Sequence, residues 1–320
     1  MPLAKTTRPS QAETLMRPRL VRRLDLGRKK PVTWVWAPPG AGKTTLVASY
    51  LAARKTRGLW YQIDEGDADV ATFFYYLGRA APRRQRPLPL LTPEYRHGVV
   101  LFARRFFREL YTRLKPPFTV VFDNYQDVRR DSAFHDVMAE SVAEIPNGGR
   151  IIFISRSDPP PAFARHRLHR RLELLDGSQL RFTPTEAVRL ARKLAPGAWP
   201  RAMLRSLYDI ADGWCAGLVL LLEQLRSEGR ASPAPPKPSS KVLFDYFAGE
   251  IFKKADPNVQ TVLLHTAFLP RVTEAMAVAL TGQPAAGSAG RRRASWPPRA
   301  RSSRRRGCCA TPRIGTRSSS

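Results

Sequence analysis

Apolar residues fall along the first half of the chain in two alternating patterns. Short, continuous apolar runs at 32–36, 58–63, 117–123, 150–154 and 171–175 have the length and composition of buried strands. Between them, residues 44–53, 68–77, 97–114 and 132–145 carry apolar positions at helical spacing. In the third of these stretches Val100, Phe106, Phe107, Leu110, Tyr111 and Leu114 fall near one face, and Arg104, Arg105, Arg108 and Arg113 lie on others. The pattern predicts a parallel sheet flanked by helices. From Thr183 it changes: Thr183-Pro-Thr-Glu186 is a helix start with proline in the first position and a capping box, and three or four helices follow to about residue 228 with no further strand.

The junction of the first run with the first helix carries the candidate chemistry. Ala37-Pro-Pro39-Gly40-Ala41-Gly42-Lys43-Thr44-Thr45 is a tight loop between a strand and a helix start, which aims backbone N–H groups and the positive end of a helix dipole at one point. Lys43 adds a charge for the β- and γ-phosphates, and the Thr44 hydroxyl is placed to ligate Mg²⁺. The first glycine of the usual G-x-x-x-x-G-K-[ST] pattern is replaced by Ala37. The run ending in Phe122-Asp123 delivers a carboxylate to the carboxyl edge of the sheet, where Asp123 holds Mg²⁺ opposite Thr44. The next residue, Asn124, cannot accept a proton from an attacking water, so at most a slow ATPase is expected unless Asp127 or another group substitutes. Arg156, after the fourth strand, reads either as a reporter on the γ-phosphate or as a surface arginine. The acidic group Asp64-Glu65-Gly-Asp67 faces a nucleotide or, the favoured reading, caps the next helix.

Composition narrows the class. The 320 residues are 43% hydrophobic, enough for a large core and about two domains. The N-terminus lacks the apolar centre of a signal peptide and no apolar run of about eighteen residues occurs, so a cytoplasmic chain without membrane contact is expected. Three cysteines and five histidines show no metal-ligand spacing. The formal net charge of +28 points towards a polyanion, but residues 283–320 contribute ten arginines and no Asp or Glu. That segment is too poor in aliphatic residues to fold; it reads as a tail translated out of frame, with a basic nucleic-acid arm as the competing reading.

Arg17-Pro-Arg-Leu-Val-Arg-Arg-Leu, Ala37-Pro-Pro-Gly-Ala-Gly-Lys-Thr-Thr45, Leu59-Trp-Tyr-Gln-Ile-Asp-Glu-Gly-Asp67, Val120-Val-Phe-Asp-Asn-Tyr125, Ile154-Ser-Arg156 and Asp212-Gly-Trp-Cys-Ala-Gly-Leu218 occur in that order. Together they resemble the N-terminal half of the MalT-like, large ATP-binding LuxR-family transcriptional regulators, which belong to the signal-transducing NTPases related to AAA+ proteins. The resemblance implies an ATP/ADP switch that self-associates with inducer and ATP. It implies phosphate and Mg²⁺ contacts from Lys43 and Thr44, a magnesium aspartate at Asp123, a γ-phosphate sensor at Arg156, and Arg17 beside the nucleotide. Cys215 stands where the family has an adenine-contacting proline. The implied organisation is a basic lead-in over 1–30, a P-loop NTPase domain over 31–182, a helical domain over 183–230, a linker over 231–240, the start of a winged-helix domain over 241–282, and the Arg-rich tail. The inducer-binding repeats and the DNA-reading helix-turn-helix of the family are not in this sequence. Two other readings compete: a P-loop or AAA+ ATPase that remodels a partner, and a basic nucleic-acid-binding protein.

Overall fold

The protein is described by a computed structural model that covers residues 3–10, 14–82, 86–95, 98–194 and 200–227, with single positions between 252 and 276. The expected linker, winged-helix start and tail lie outside the described residues, those single positions apart. In chain order, helix α1 (Pro18–Leu26) leads into strand β1 (Val32–Trp36), followed by α2 (Lys43–Ala53), β2 (Gly58–Gln62), α3 (Val70–Ala80), α4 (Val99–Leu114) and β3 (Phe118–Asp123). Next come α5 (Phe134–Ala143), β4 (Gly149–Ser155), the short α6 (Ala164–Leu168) and β5 (Leu172–Leu175). One turn, α7 (Gly177–Leu180), joins this unit to α8 (Pro184–Leu194), α9 (Arg201–Ala211) and α10 (Cys215–Ser227).

The five expected strands form one parallel sheet in the order β2-β3-β4-β1-β5. Strand β4 therefore separates the two chemistry-bearing strands β1 and β3. Burial follows this order: β3 is buried throughout and β4 at all but its first residue, whereas the edge strands β2 and β5 are only partly covered. Successive side chains in a strand face opposite ways. Trp34, Phe122 and Phe153 thus enter an aromatic core with Phe73, Phe107 and Phe134, while Val35, Val121 and Ile152 enter an aliphatic core with Leu20, Val47 and Leu51. The α4 stripe predicted from spacing is buried at Phe106, Phe107, Leu110 and Tyr111, joined by Phe102. Val100, in the first turn of that helix, is 41% exposed and does not belong to the core. Helices α8, α9 and α10 close a third apolar cluster around Leu190, Leu204, Leu207 and Leu221.

The acidic group after β2 is spent on capping, but on a turn of its own rather than on the next helix. Asp64 and Asp67 form a capping box on the turn Glu65–Ala68, Tyr61 donates to Asp67 at 2.8 Å, and Asp69 caps α3. At the other end of the sheet unit, Thr183 and Glu186 exchange hydrogen bonds of 3.1 and 3.2 Å, the box expected for α8.

Two histidines are built in as neutral groups. His135 Nε2 meets the Arg129 carbonyl at 2.9 Å, which can only accept, so Nε2 carries the proton and Nδ1 accepts from the Tyr125 hydroxyl at 2.9 Å. His166 Nε2 likewise donates to the Ala139 carbonyl at 3.0 Å. Burial pushes both imidazoles below their ordinary pKa, against the weaker opposing pull of those carbonyls. The unfolded chain therefore takes up protons first as the pH falls below about 6.5, and stability that is complete above that value is lost on acidification. The thermal midpoint is expected to drop between pH 7.5 and 5.5, and to drop less in His166→Gln, whose amide can still donate to Ala139. Equal drops in the two proteins would remove His166 from this account.

Candidate functional site

The loop between β1 and α2 is shaped by backbone requirements that the sequence satisfies locally. Gly40 and Gly42 have φ of 70° and 78°, a conformation open to glycine and strained for other residues. Gly42 is the N-cap of α2, and a side chain there would also meet Cys215 Sγ at 3.3 Å. Ala37 is not among the residues of positive φ, so the first position of the loop has no need of a glycine in this fold. Its carbonyl and that of Pro38 accept from Lys43 Nζ at 2.8 and 3.1 Å.

Thr44, Asp123, Lys43 and Arg156 converge at the carboxyl edge of the sheet. Thr44 Oγ1 donates to Asp123 Oδ1 at 3.1 Å, although their strands are separated by β4. The same oxygen accepts the Asn124 N–H at 3.0 Å. Burial raises the Asp123 pKa, with Thr44, the Asn124 N–H and the charge of Lys43 pulling it back. The Lys43 ammonium is pushed down to about 8, first by burial and then by the like charge of Arg156, against the attraction of Asp123. A buried ammonium under the like charge of Arg156 favours a bound anion, and the nearby charge of Asp127, which raises the Asp123 pKa further, favours a bound cation at the carboxylate. The hard oxygens of Thr44 and Asp123, already in contact, are the donor types that Mg²⁺ selects, so the residues fit that ion.

Other predicted positions are placed less simply. Arg156 sits at the end of β4, and its N–H donates to Gln126 Oε1 at 3.0 Å, tying it to the turn after Asp123. Asn124 is exposed and left-handed (φ 61°), a conformation that asparagine tolerates better than most residues. Thr45 points to an exposed position on α2, and Ala41 is buried under the loop. Arg17 is 5% exposed and heavily used. It bonds Glu186 at 3.2 Å and the carbonyls of Leu180 and Arg181 at 2.7 and 2.8 Å, and lies over the Phe182 ring at 4.0 Å. Burial lowers its pKa; the charge of Glu186 opposes this. Arg17 thus fastens the lead-in to the start of α8.

The turn before α10 adds contacts that motif reading did not find. Trp214 Nε1 donates to the Pro39 carbonyl at 3.0 Å, and the Ala216 N–H donates to the Gly40 carbonyl at 2.9 Å. The helical unit is hydrogen-bonded directly to the phosphate loop, and Cys215 stands between these two donors. Burial raises the pKa of its thiol, which favours the uncharged form. The Gly-Trp pair was the available signal; its partners on the loop were not readable. Among the described residues no helix is long and apolar enough to cross a membrane, and no group of three or more His, Cys, Asp or Glu side chains is placed to hold a metal.

No family model matches the sequence. The HTH-type transcriptional regulator MalT of Serratia proteamaculans is 27% identical over 291 residues, which cover 88% of this chain and 32% of that protein. MalT of Cronobacter sakazakii is 27% identical over 296 residues with the same coverage. The chain thus spans about a third of the length of the curated relatives it matches. Among solved structures, a Walker-type ATPase of Pyrococcus abyssi superposes with a TM-score of 0.52 at 16% identity, over 81% of this chain and 82% of that one. The chain thus shares the fold of that Walker-type ATPase and, over most of its length, is similar in sequence to MalT regulators.

Proposed function

We propose that this chain is the ATP-binding switch module of a MalT-like, LuxR-family transcriptional regulator, holding ATP or ADP with Mg²⁺ in the cytoplasm. One observation carries the reading: Thr44, next to Lys43 at the start of α2, touches Asp123 across β4. In this reading the loop from Pro39 to Thr45 cradles the phosphates with its N–H groups and Lys43 neutralises the β- and γ-phosphates. Thr44 and Asp123 hold Mg²⁺, which when bound offsets charge between the phosphates. Arg156 reports the γ-phosphate through the end of β4. Cys215 and Arg17 stand at the base side of the site, Arg17 acting through Glu186 and Phe182. The proposal includes nucleotide-dependent self-association, and the likeness to HTH-type regulators supports DNA being read by a further domain of such a regulator. The domain limits are proposed as a lead-in over 1–30, the nucleotide domain over 31–182 and the helical domain over 183–230.

Equilibrium binding of labelled ATP with Mg²⁺ tests the site. A charge-assisted contact is worth about 1.5–3 kcal/mol, so Lys43→Ala is expected to weaken binding by about 10- to 100-fold. Indistinguishable affinities would sink the proposal. The intact chain is also expected to turn over ATP far below about one per second, because Asn124 supplies no base. Asn124→Asp keeps a residue tolerant of the left-handed conformation and should raise that rate; turnover of several per second by the unaltered chain would contradict the switch reading.

A further inference from the structure

All strands of a parallel sheet begin at the same edge, and here that edge holds a recess of about 460 Å³. Its walls come from residues 28–31 ahead of β1, Thr56 ahead of β2, the start of β3, residues 145–150 around the start of β4, and Arg171 ahead of β5. The phosphate loop, Asp123 and Arg156 stand at the opposite edge, one strand length or roughly 15–20 Å away. The recess is therefore separate from the nucleotide site.

Its lining is strongly one-signed. Arg28, Lys29, Lys30, Arg150 and Arg171 face it, and among the described residues no aspartate or glutamate does. Compensation is uneven. Lys30 pairs with Glu173 at 2.7 Å, a carboxylate it shares with Arg23, and Arg171 donates to the Val142 carbonyl at 2.9 Å. Arg150 is only 6% exposed. Its terminal nitrogens donate to neutral oxygens, those of Thr33 at 2.7 Å, Leu24 at 3.1 Å and Tyr50 at 3.4 Å, while its Nε is buried with no hydrogen-bond partner. The Asp25 carboxylate behind Tyr50 is already bound by Arg54. Burial lowers the Arg150 pKa, and the like charge of Arg28 acts in the same direction against the pull of Tyr50 and Asp25. A buried guanidinium bonded only to neutral oxygens, with the like charge of Arg28 acting on it, is a costly arrangement without an anion.

We propose that this recess is a second anion site, and that its ligand is a small phosphorylated molecule. Guanidinium forks and ammonium groups around a concave surface match phosphate oxygens. The volume is that of an ordinary small-molecule site, and Phe118 and Ile145 provide apolar wall for the rest of the ligand. A concave recess walled by the strand entries suits a compact anion, whereas a nucleic-acid backbone is met along extended basic stripes.

The test uses the full chain carrying Lys43→Ala, titrated calorimetrically with inorganic pyrophosphate at fixed ionic strength. This chain is expected to bind pyrophosphate. Adding Arg28→Ser and Lys29→Ser, at two exposed positions whose loss leaves the cores intact, should weaken that binding by at least about ten-fold, as expected for losing charge-assisted contacts. With Lys43 restored, the same two serine substitutions should leave ATP affinity unchanged, so this inference and the nucleotide reading can fail separately. Absence of pyrophosphate binding in Lys43→Ala, or binding that survives the serine substitutions, would overturn the second site. Tighter binding of a single-stranded oligonucleotide to the same surface, lost with the same substitutions, would overturn the small-ligand assignment.

Discussion

The hydrogen bond from Thr44 to Asp123 is the constraint around which the fold is arranged. The donor opens α2 and the acceptor closes β3, 79 residues later in the chain. Their strands are not neighbours: β4 runs between them and pairs with both. The contact therefore forms only if three strands lie in parallel with their carboxyl ends level. Registers such as Trp34 with Phe153 and Phe122 with Phe153 set that level, and the aromatic core beneath fixes it. Slipping any of the three by one residue would turn Trp34, Phe122 or Phe153 out of the aromatic layer, so apolar packing on one face enforces polar geometry at the edge.

The second constraint is the attachment of α10 to the loop between β1 and α2. Pro39 and Gly40 present their carbonyls to Trp214 and Ala216, while Arg17 binds the far side of the helical unit through Glu186. Loop and helix move together or two hydrogen bonds break, each worth about 0.5–1.5 kcal/mol net. Glu186 is unusual in serving two purposes. Burial alone would raise its pKa, but the Thr183 N–H, Arg19 and Arg17 outweigh it and keep the carboxylate charged. The same side chain thus caps α8 and anchors the lead-in.

Electrostatics also divide along the sheet. At the carboxyl edge the buried Lys43 lies between the charges of Arg156 and Asp123; at the amino edge five cations line a recess where, among the described lining residues, no carboxylate stands, although Lys30 pairs with Glu173. The formal charge of +28 in the whole chain is therefore not spread evenly over a solvated surface. Part of it is concentrated at the two ends of the strands, where low-dielectric surroundings make each uncompensated charge count for more.

The sequence by itself determined the elements and the local chemistry. Strand and helix periodicities, the capping box at Thr183, the capping use of the acidic group after β2 and the loop from Ala37 to Thr45 were readable, because each depends on residues within one or two turns of chain. It also carried the pairing of a phosphate loop with an aspartate-ended strand, although not the distance between them. Tertiary structure alone decided the strand order, the exposure of Val100, the binding of Trp214 to Pro39 and the burial of Arg17 against Glu186. It alone gathered the five strand entries around one basic recess. Those facts join residues up to 175 positions apart, and hydrophobic spacing records which face of an element is buried without recording what it is buried against.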